Sequence, residues 1–178
     1  MIVGVTVGVA MGKSKVALKL NKLFPNSHLF DADGVVSQLL TRENVCEKVL
    51  MVFGDESIDA SGLINRAFIR EQVFDSAEQR ANLESILHPE VKNEFDTVVE
   101  KTSGFDGGIL FADIPLLYEC SYEFKCDTVL VVATDKNTQF KRLIKRSGVD
   151  RRLAINIINS QLDIEKKKKH FDFINLYC

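Results

Sequence analysis

Residues Gly4-Val5-Thr6-Val7-Gly8-Val9-Ala10-Met11-Gly12-Lys13-Ser14-Lys15 constrain this chain more than any other stretch, because strand, tight loop and helix start follow one another directly. Met1-Ile2-Val3 begins an apolar run suited to a buried parallel strand, and Val16-Ala17-Leu18-Lys19-Leu20 can present an apolar helical face. Between them lies Gly12-Lys13-Ser14. A Gly-Lys-Ser at a helix start can aim backbone N–H groups, the helix dipole and one ammonium at a polyphosphate. The pattern G-x-x-x-x-G-K-[ST] is incomplete, because Val7 stands where its first glycine belongs and Gly8 comes one residue late. If that position demands positive φ, a β-branched residue there costs roughly 1–2 kcal/mol. The alternative is an ordinary strand-to-helix turn, with Gly12 as a flexible point and Lys13 solvated.

Two further predicted strands end in carboxylates, and strand ends are where open α/β sheets bind ligands. Ser27-His28-Leu29-Phe30 runs into Asp31-Ala32-Asp33-Gly34. Were strand geometry to persist, Asp31 and Asp33 would share one face and Ala32 would point away. Either aspartate could instead cap the helix predicted through Val35 to Leu40. After Gly107-Gly108, the apolar strand Ile109-Leu110-Phe111-Ala112-Asp113 also ends in a carboxylate. Asp113 can orient a Mg²⁺ ion near phosphates, or merely cap the next turn. The β-branched run Asp127 to Ala133 reads as a parallel, central strand, and Phe171-Asp172-Phe173-Ile174 as a final short one.

From Glu43 to Thr102 the pattern is helical, with a break at Gly54-Asp55 and apolar positions at Val45, Val49, Met51, Val52 and Phe53. Asn65 is a candidate N-cap for the helix holding Arg66 and Arg70, which share a face at i and i+4. Two such arginines can clamp phosphate, or lie solvated beside Glu71 or Asp59. Leu87-His88-Pro89-Glu90 predicts a helix boundary, since the residue before proline is steered away from the α region. His88 there can touch substrate or serve structure. Thr134 or Asp135 can cap a helix carrying Lys141, Arg142, Lys145 and Arg146, ended by Ser147-Gly148. A second helix, Asp150 to Ser160, offers Leu153, Ile157 and Ile158 for packing. This basic hairpin can cover phosphates as a lid, or form a solvated amphipathic pair; Lys166 to Lys169 reads as a solvated face.

Strands alternating with helices imply an α/β fold, a mostly parallel sheet covered on both faces with a helical insertion. A chain of 178 residues fits one domain with a real core. Net charge −2 supplies no global basic field for nucleic acid or an anionic membrane. Cys46, Cys120, Cys126 and Cys178 show neither C-x-x-C spacing nor histidine pairing, which argues against a zinc site or redox dithiol and suits a reducing cytosol. Met1 to Met11 lacks a basic leader, and no run approaches the roughly 18 apolar residues of a membrane span.

The Gly12-Lys13-Ser14 loop, Asp31-Ala32-Asp33, Leu87-His88-Pro89 and Asp113-Ile114-Pro115-Leu116-Leu117-Tyr118-Glu119 together resemble the dephospho-coenzyme A kinase family in order and spacing. The last is the most telling, because the family has a similar Asp-x-Pro-Leu-Leu-x-Glu stretch. Gly62 to Arg66 with Arg70, Arg142 with Arg146, and Gln161 followed by Asp172-Phe173 extend the likeness over nearly the whole chain. The resemblance implies a P-loop kinase-like parallel sheet flanked by helices, with a helical substrate-binding region at about 43–102 and a helical lid at about 136–169. The core would comprise about 1–42, 103–135 and 170–178 of a single domain.

The implied activity is transfer of the γ-phosphoryl group of ATP to the ribose 3′-hydroxyl of dephospho-coenzyme A, the last step of coenzyme A synthesis, in the cytoplasm. By similarity, Gly8, Val9, Ala10, Met11 and Gly12 cradle the phosphates with Lys13 and Ser14, Ser14 and Asp113 serve Mg²⁺, and Asp33 receives the hydroxyl proton. Arg146 matches a lid arginine, while Asp31, Arg66, Arg70 and His88 hold the substrate. No nucleic acid or membrane partner is implied, and the oligomeric state is open. The chain departs from the family at Val7, at Ala10-Met11, which crowd the cradle, at Lys15 where threonine is usual, and at Ile164 where Gln-x-x-Arg ends. Two other functions compete: a catalytically weak homologue that senses nucleotide or coenzyme A, motivated by Val7, Ala10 and Met11, and another small-molecule P-loop kinase, such as one for nucleoside monophosphates. The Asp-x-Pro-Leu-Leu-x-Glu stretch argues against the latter.

Overall fold

The computed structural model describes residues 1–7, 9–104, 107–114, 124–132, 134–147 and 150–160. Four strands, β1 (Ile2–Val7), β2 (Ser27–Asp31), β3 (Ile109–Asp113) and β4 (Thr128–Val132), form an all-parallel sheet in the order β2-β3-β1-β4. The helices are α1 (Lys13–Leu23), α2 (Ala32–Leu39), α3 (Glu43–Phe53), α4 (Arg66–Asp75), α5 (Ala77–Ser103), α6 (Lys136–Ser147) and α7 (Arg151–Ser160). This is the α/β parallel sheet flanked by helices that the sequence implies. No helix among the described residues is long and apolar enough to cross a membrane.

The chain divides into two compact units, one formed by 1–31 with 98–178 and the other by 32–97. In the first, Val3 and Val5 of β1 pack with Phe111, Leu130, Val132 and Val16 of α1, while Leu20, Leu29 and Ile109 border the cluster. Alternation along the strands sends Phe30, Leu110, Ala112 and Val131 to the opposite face, where they too are buried. Both faces being covered explains why the strands read as continuous apolar runs. Among the described strands β4 pairs with β1 and stands last in the order, while the further strand expected at 171–174 lies outside the described residues. Asp127 anchors the start of β4, the carboxylate accepting the Ile2 N–H at 2.6 Å and the Asp127 N–H donating to the Ile2 carbonyl at 2.9 Å.

In the second unit, Val45, Cys46 and Val49 bury one face of α3, and α5 contributes Ile86, Leu87, Val91 and Phe95. Arg42 pairs with Glu94 at 2.6 Å and Lys48 with Glu90 at 2.7 Å, tying α3 to α5. Asn65 caps α4 as expected, its side-chain oxygen accepting the Phe68 N–H at 3.3 Å. The boundary expected at Pro89 does not occur. Pro89 lies inside α5, exposed, and costs the Ser85 carbonyl its usual N–H partner. Packing of Leu87, Val91 and Phe95 at helical spacing overrides the local preference. Met51, counted among the apolar positions of α3, is 84% exposed, and Val52 is exposed as well. Among the described side chains of α7, Ala154 is buried and Ile157 and Ile158 are half-buried, whereas Leu153, expected to pack with them, is exposed. The expected strand at 171–174, the lysine run at 166–169 and Gln161 lie outside the described residues.

The connection between β1 and α1 also departs from expectation. Val7 completes β1 opposite Val132, so extended backbone occupies the position where positive φ was feared. The left-handed conformation moves to Ala10 (φ 57) and Gly12 (φ 97), and Ala10 is the one non-glycine residue at positive φ among the described residues.

Two stability measurements follow. Pro89→Ala restores a backbone donor at an exposed site of α5 and is expected to raise the urea-unfolding free energy by roughly 1–3 kcal/mol; a loss would show that α5 depends on the proline. Ala10→Gly relieves a left-handed alanine against a larger unfolded-state entropy, so thermal unfolding should shift upward by less than about 1 kcal/mol equivalent. A lowered midpoint would mean that Ala10 carries no strain.

Candidate active site

The N-terminus of α1 is the electrostatic centre of the first unit. Gly12 is its N-cap residue, and its carbonyl accepts N–H bonds from Lys15 at 3.1 Å and Val16 at 3.2 Å. No side chain caps the helix and no acidic residue stands in its first turn. With neither a capping side chain nor an acid of its own first turn, this helix end keeps the positive end of its dipole, the kind of terminus that suits an anion. Met11 is buried, so its side chain is withdrawn into the protein rather than left in solvent around the loop. Of the other loop residues, Val9, Ala10 and Gly12 are partly exposed, while Gly8 and the side chains of Lys13 and Ser14 lie outside the described residues.

The strand-end carboxylates are arranged differently from the sequence expectation. β2 stops at Asp31, and Asp33 falls in the first turn of α2, so strand alternation does not place Asp31 and Asp33 on one face. Instead Asp31 is the register partner of Asp113, and Asp113 that of Val5. Asp31 and Asp113 thus leave adjacent strands on the face that Val5 shares with α1. Asp113 is 4% exposed and Asp31 is open to solvent. Mg²⁺ bound with a nucleotide takes one or two carboxylates, phosphate oxygens and waters, a donor set that this pair fits. A self-sufficient metal site is not formed, since no group of three or more His, Cys, Asp or Glu gathers among the described residues.

Helix α6 brings a cation and an amide to the loop. Its start is fixed by Asp135, whose carboxylate accepts the Thr138 N–H at 2.9 Å; hydrogen bonds from the Thr138 side chain and then from its backbone lower the Asp135 pKa from the ordinary carboxylate value. Arg142 lies beside Gly12: a methyl group placed on Gly12 would stand 3.5 Å from its Nη1 atom. Arg146 belongs to α6, but its side chain lies outside the described residues. The residue that the sequence did not single out is Gln139. It is 2% exposed, and its Nε2 donates to the Val9 carbonyl at 2.9 Å. The one available signal was an amide on the same helical stripe as Leu143, which is also buried.

In the second unit, Asp33 is exposed on α2. Arg66 on α4 donates from Nη2 to the Ser37 carbonyl of α2 at 3.0 Å. Arg70, one turn on, is exposed and makes no hydrogen bond or ion pair among the described residues, so neither Glu71 nor Asp59 engages it. His88 sits within α5 rather than at a boundary; desolvation pushes its pKa below the ordinary value while Glu84, one turn earlier, opposes the shift, so the imidazole is neutral at pH 7. Residues 115–119, most of the Asp113 to Glu119 stretch, lie outside the described residues.

This chain matches, over residues 1–175, the family model described as dephospho-CoA kinase. It is 36% identical to the dephospho-CoA kinase of Fusobacterium nucleatum over 98% of this chain and 88% of that one. Identity to the Prochlorococcus marinus enzyme of the same name is 34%, over 97% of this chain and 85% of the other. Among solved structures, a protein of Thermus thermophilus superposes with a TM-score of 0.79 at 28% identity, covering 100% of this chain and 88% of that one. The dephospho-CoA kinase of Campylobacter jejuni gives 0.72 at 26% identity, covering 99% and 88%. With sequence, loop and sheet in agreement along nearly its whole length, the chain belongs to the dephospho-CoA kinase family.

Proposed function

We propose that this chain transfers the γ-phosphoryl group of ATP to the ribose 3′-hydroxyl of dephospho-coenzyme A, giving coenzyme A and ADP, in the cytoplasm. The observation that carries the proposal is the uncapped, acid-free N-terminus of α1 behind the left-handed Gly12, in a chain of this family. Phosphoryl transfer asks the protein chiefly for positioning and charge stabilisation, and this helix end offers both to a polyphosphate. Val9 to Gly12 present the loop backbone, and Lys13 neutralises β- and γ-phosphate charge. Bound Mg²⁺ would supply further charge neutralisation at the phosphates, held by Ser14 and Asp113 with Asp31 alongside. Arg142, adjacent to Gly12, and Arg146 on the same helix stabilise charge on the transferring group.

Asp33 receives the hydroxyl proton. With an ordinary aspartate pKa near 3.9 it would be a weak base, but late proton acceptance suffices when orientation is the larger task. Arg66, Arg70 and His88 hold the coenzyme A precursor, the exposed Arg70 guanidinium being suited to a phosphate and the neutral His88 to a hydrogen bond rather than an ion pair. The binding-only alternative rested on Val7, Ala10 and Met11. Val7 extended within β1 and Met11 buried support a loop that accommodates these residues, and therefore turnover.

A coupled assay for ADP release with ATP, Mg²⁺ and dephospho-coenzyme A tests the activity: turnover should require the acceptor and vanish in Lys13→Ala. Wild-type rates no higher than those of Lys13→Ala would refute it. Asp33→Asn should lower kcat by about 10²–10⁴-fold while leaving ATP affinity nearly unchanged; parallel loss of binding would reassign Asp33 to structure.

A further inference from the structure

We infer that Gln139 is a positioning residue for the phosphate loop, holding the Val9 peptide plane so that the loop keeps the conformation in which it receives ATP. The inference rests on the kinase reading above and extends it to a residue outside the nucleotide-binding and catalytic sets. Val9 and Gln139 are 130 residues apart in sequence, yet a 2.9 Å hydrogen bond joins the buried amide to the Val9 carbonyl. That carbonyl shares its peptide plane with the Ala10 N–H. In a trans peptide the two point in opposite directions, so fixing the carbonyl toward α6 fixes the N–H away from it. Ala10 is also the residue held at φ 57, a conformation that alanine leaves readily unless its surroundings over-determine it. A glycine-rich loop would need less restraint.

Gln139 is itself well placed to impose that restraint. Its N–H donates to the Asp135 carbonyl at 3.0 Å in the capped first turn of α6, and Leu143, one turn further, is buried. Arg142, three residues on and sharing its side of the helix, lies at Gly12. One helix therefore grips the loop near both ends, at Val9 through an amide and at Gly12 beside a guanidinium. The competing description is a buried amide that merely joins helix to sheet. Such a role would affect stability and both substrates alike.

The test compares wild type with Gln139→Leu, which fills much of the same space but removes the donor, and with Gln139→Glu, which sets a carboxylate against the Val9 carbonyl. Losing one hydrogen bond from the loop should raise the KM for ATP, and the Kd for Mg-ADP, about tenfold in Gln139→Leu. The KM for dephospho-coenzyme A should stay within about twofold, because the loop alone is disturbed. In ¹³C/¹⁵N spectra of the nucleotide-free proteins, the Val9 carbonyl and Ala10 amide resonances should move in both variants. Gln139→Glu should regain ATP affinity relative to wild type as pH falls and its carboxyl protonates to a donor. Equal changes in both KM values with a lowered melting temperature, or unchanged Mg-ADP affinity in a folded Gln139→Leu, would overturn the inference. If wild type fails to phosphorylate dephospho-coenzyme A, the activity reading falls by itself, and the Mg-ADP affinities and the Val9 and Ala10 resonances still decide the role of Gln139.

Discussion

The placement of β1 between β3 and β4 governs the rest of the first unit. Pairing of Val5 with Asp113 on one side and of Val7 with Val132 on the other holds the strand extended up to Val7. The chain must then turn and enter α1 at Lys13, within a few residues. Such a short connection forces left-handed backbone somewhere, and it is found at Ala10 and Gly12 rather than at Val7. The missing glycine at position 7 is thus absorbed by extending the strand, and the conformational demand falls on an alanine, the least encumbered residue after glycine. α1 is fixed in turn by Val16 and Leu20 against the sheet, so its N-terminus, which no side chain caps, lies where the strands carrying Asp31 and Asp113 also end.

The charges around that end explain why a net-acidic chain can hold a polyanion. The helix start carries Lys13 and Lys15 and no acid, and Arg142 approaches Gly12. Attraction is local and short-ranged, since solvent and salt screen exposed charges beyond about 8–10 Å. The two adjacent strand-end carboxylates would repel a bare phosphate, but they suit a phosphate that arrives with a divalent cation.

Much of this was legible in the sequence where local pattern and tertiary structure agree. The three strands ending near the site announced themselves as apolar runs, two closing in aspartate, and Asn65 and Asp135 were readable as caps. Legibility failed where long-range packing overruled local preference. Pro89 signalled a helix end, but the buried positions flanking it carry α5 through. Asp33 could be read either as a continuation of β2 or as the start of the next helix, because a strand ending and a helix beginning share the same short acidic text, and the structure places it in the first turn of α2. Its expected companion, Asp31, pairs with Asp113, a relation that only strand register creates. Gln139 was silent because nothing local requires an amide there. Its partner lies at the opposite end of the chain, and only the folded sheet brings the Val9 carbonyl within reach.

A crystal structure with a non-hydrolysable ATP analogue and Mg²⁺ tests the central claim most directly. The β-phosphate should lie against the backbone N–H groups at the start of α1, with Ala10 still at positive φ and the Mg²⁺ on the side of Asp113. A triphosphate bound away from Gly12 and Lys13, or a loop in which Ala10 has left the left-handed region to admit it, would contradict the account.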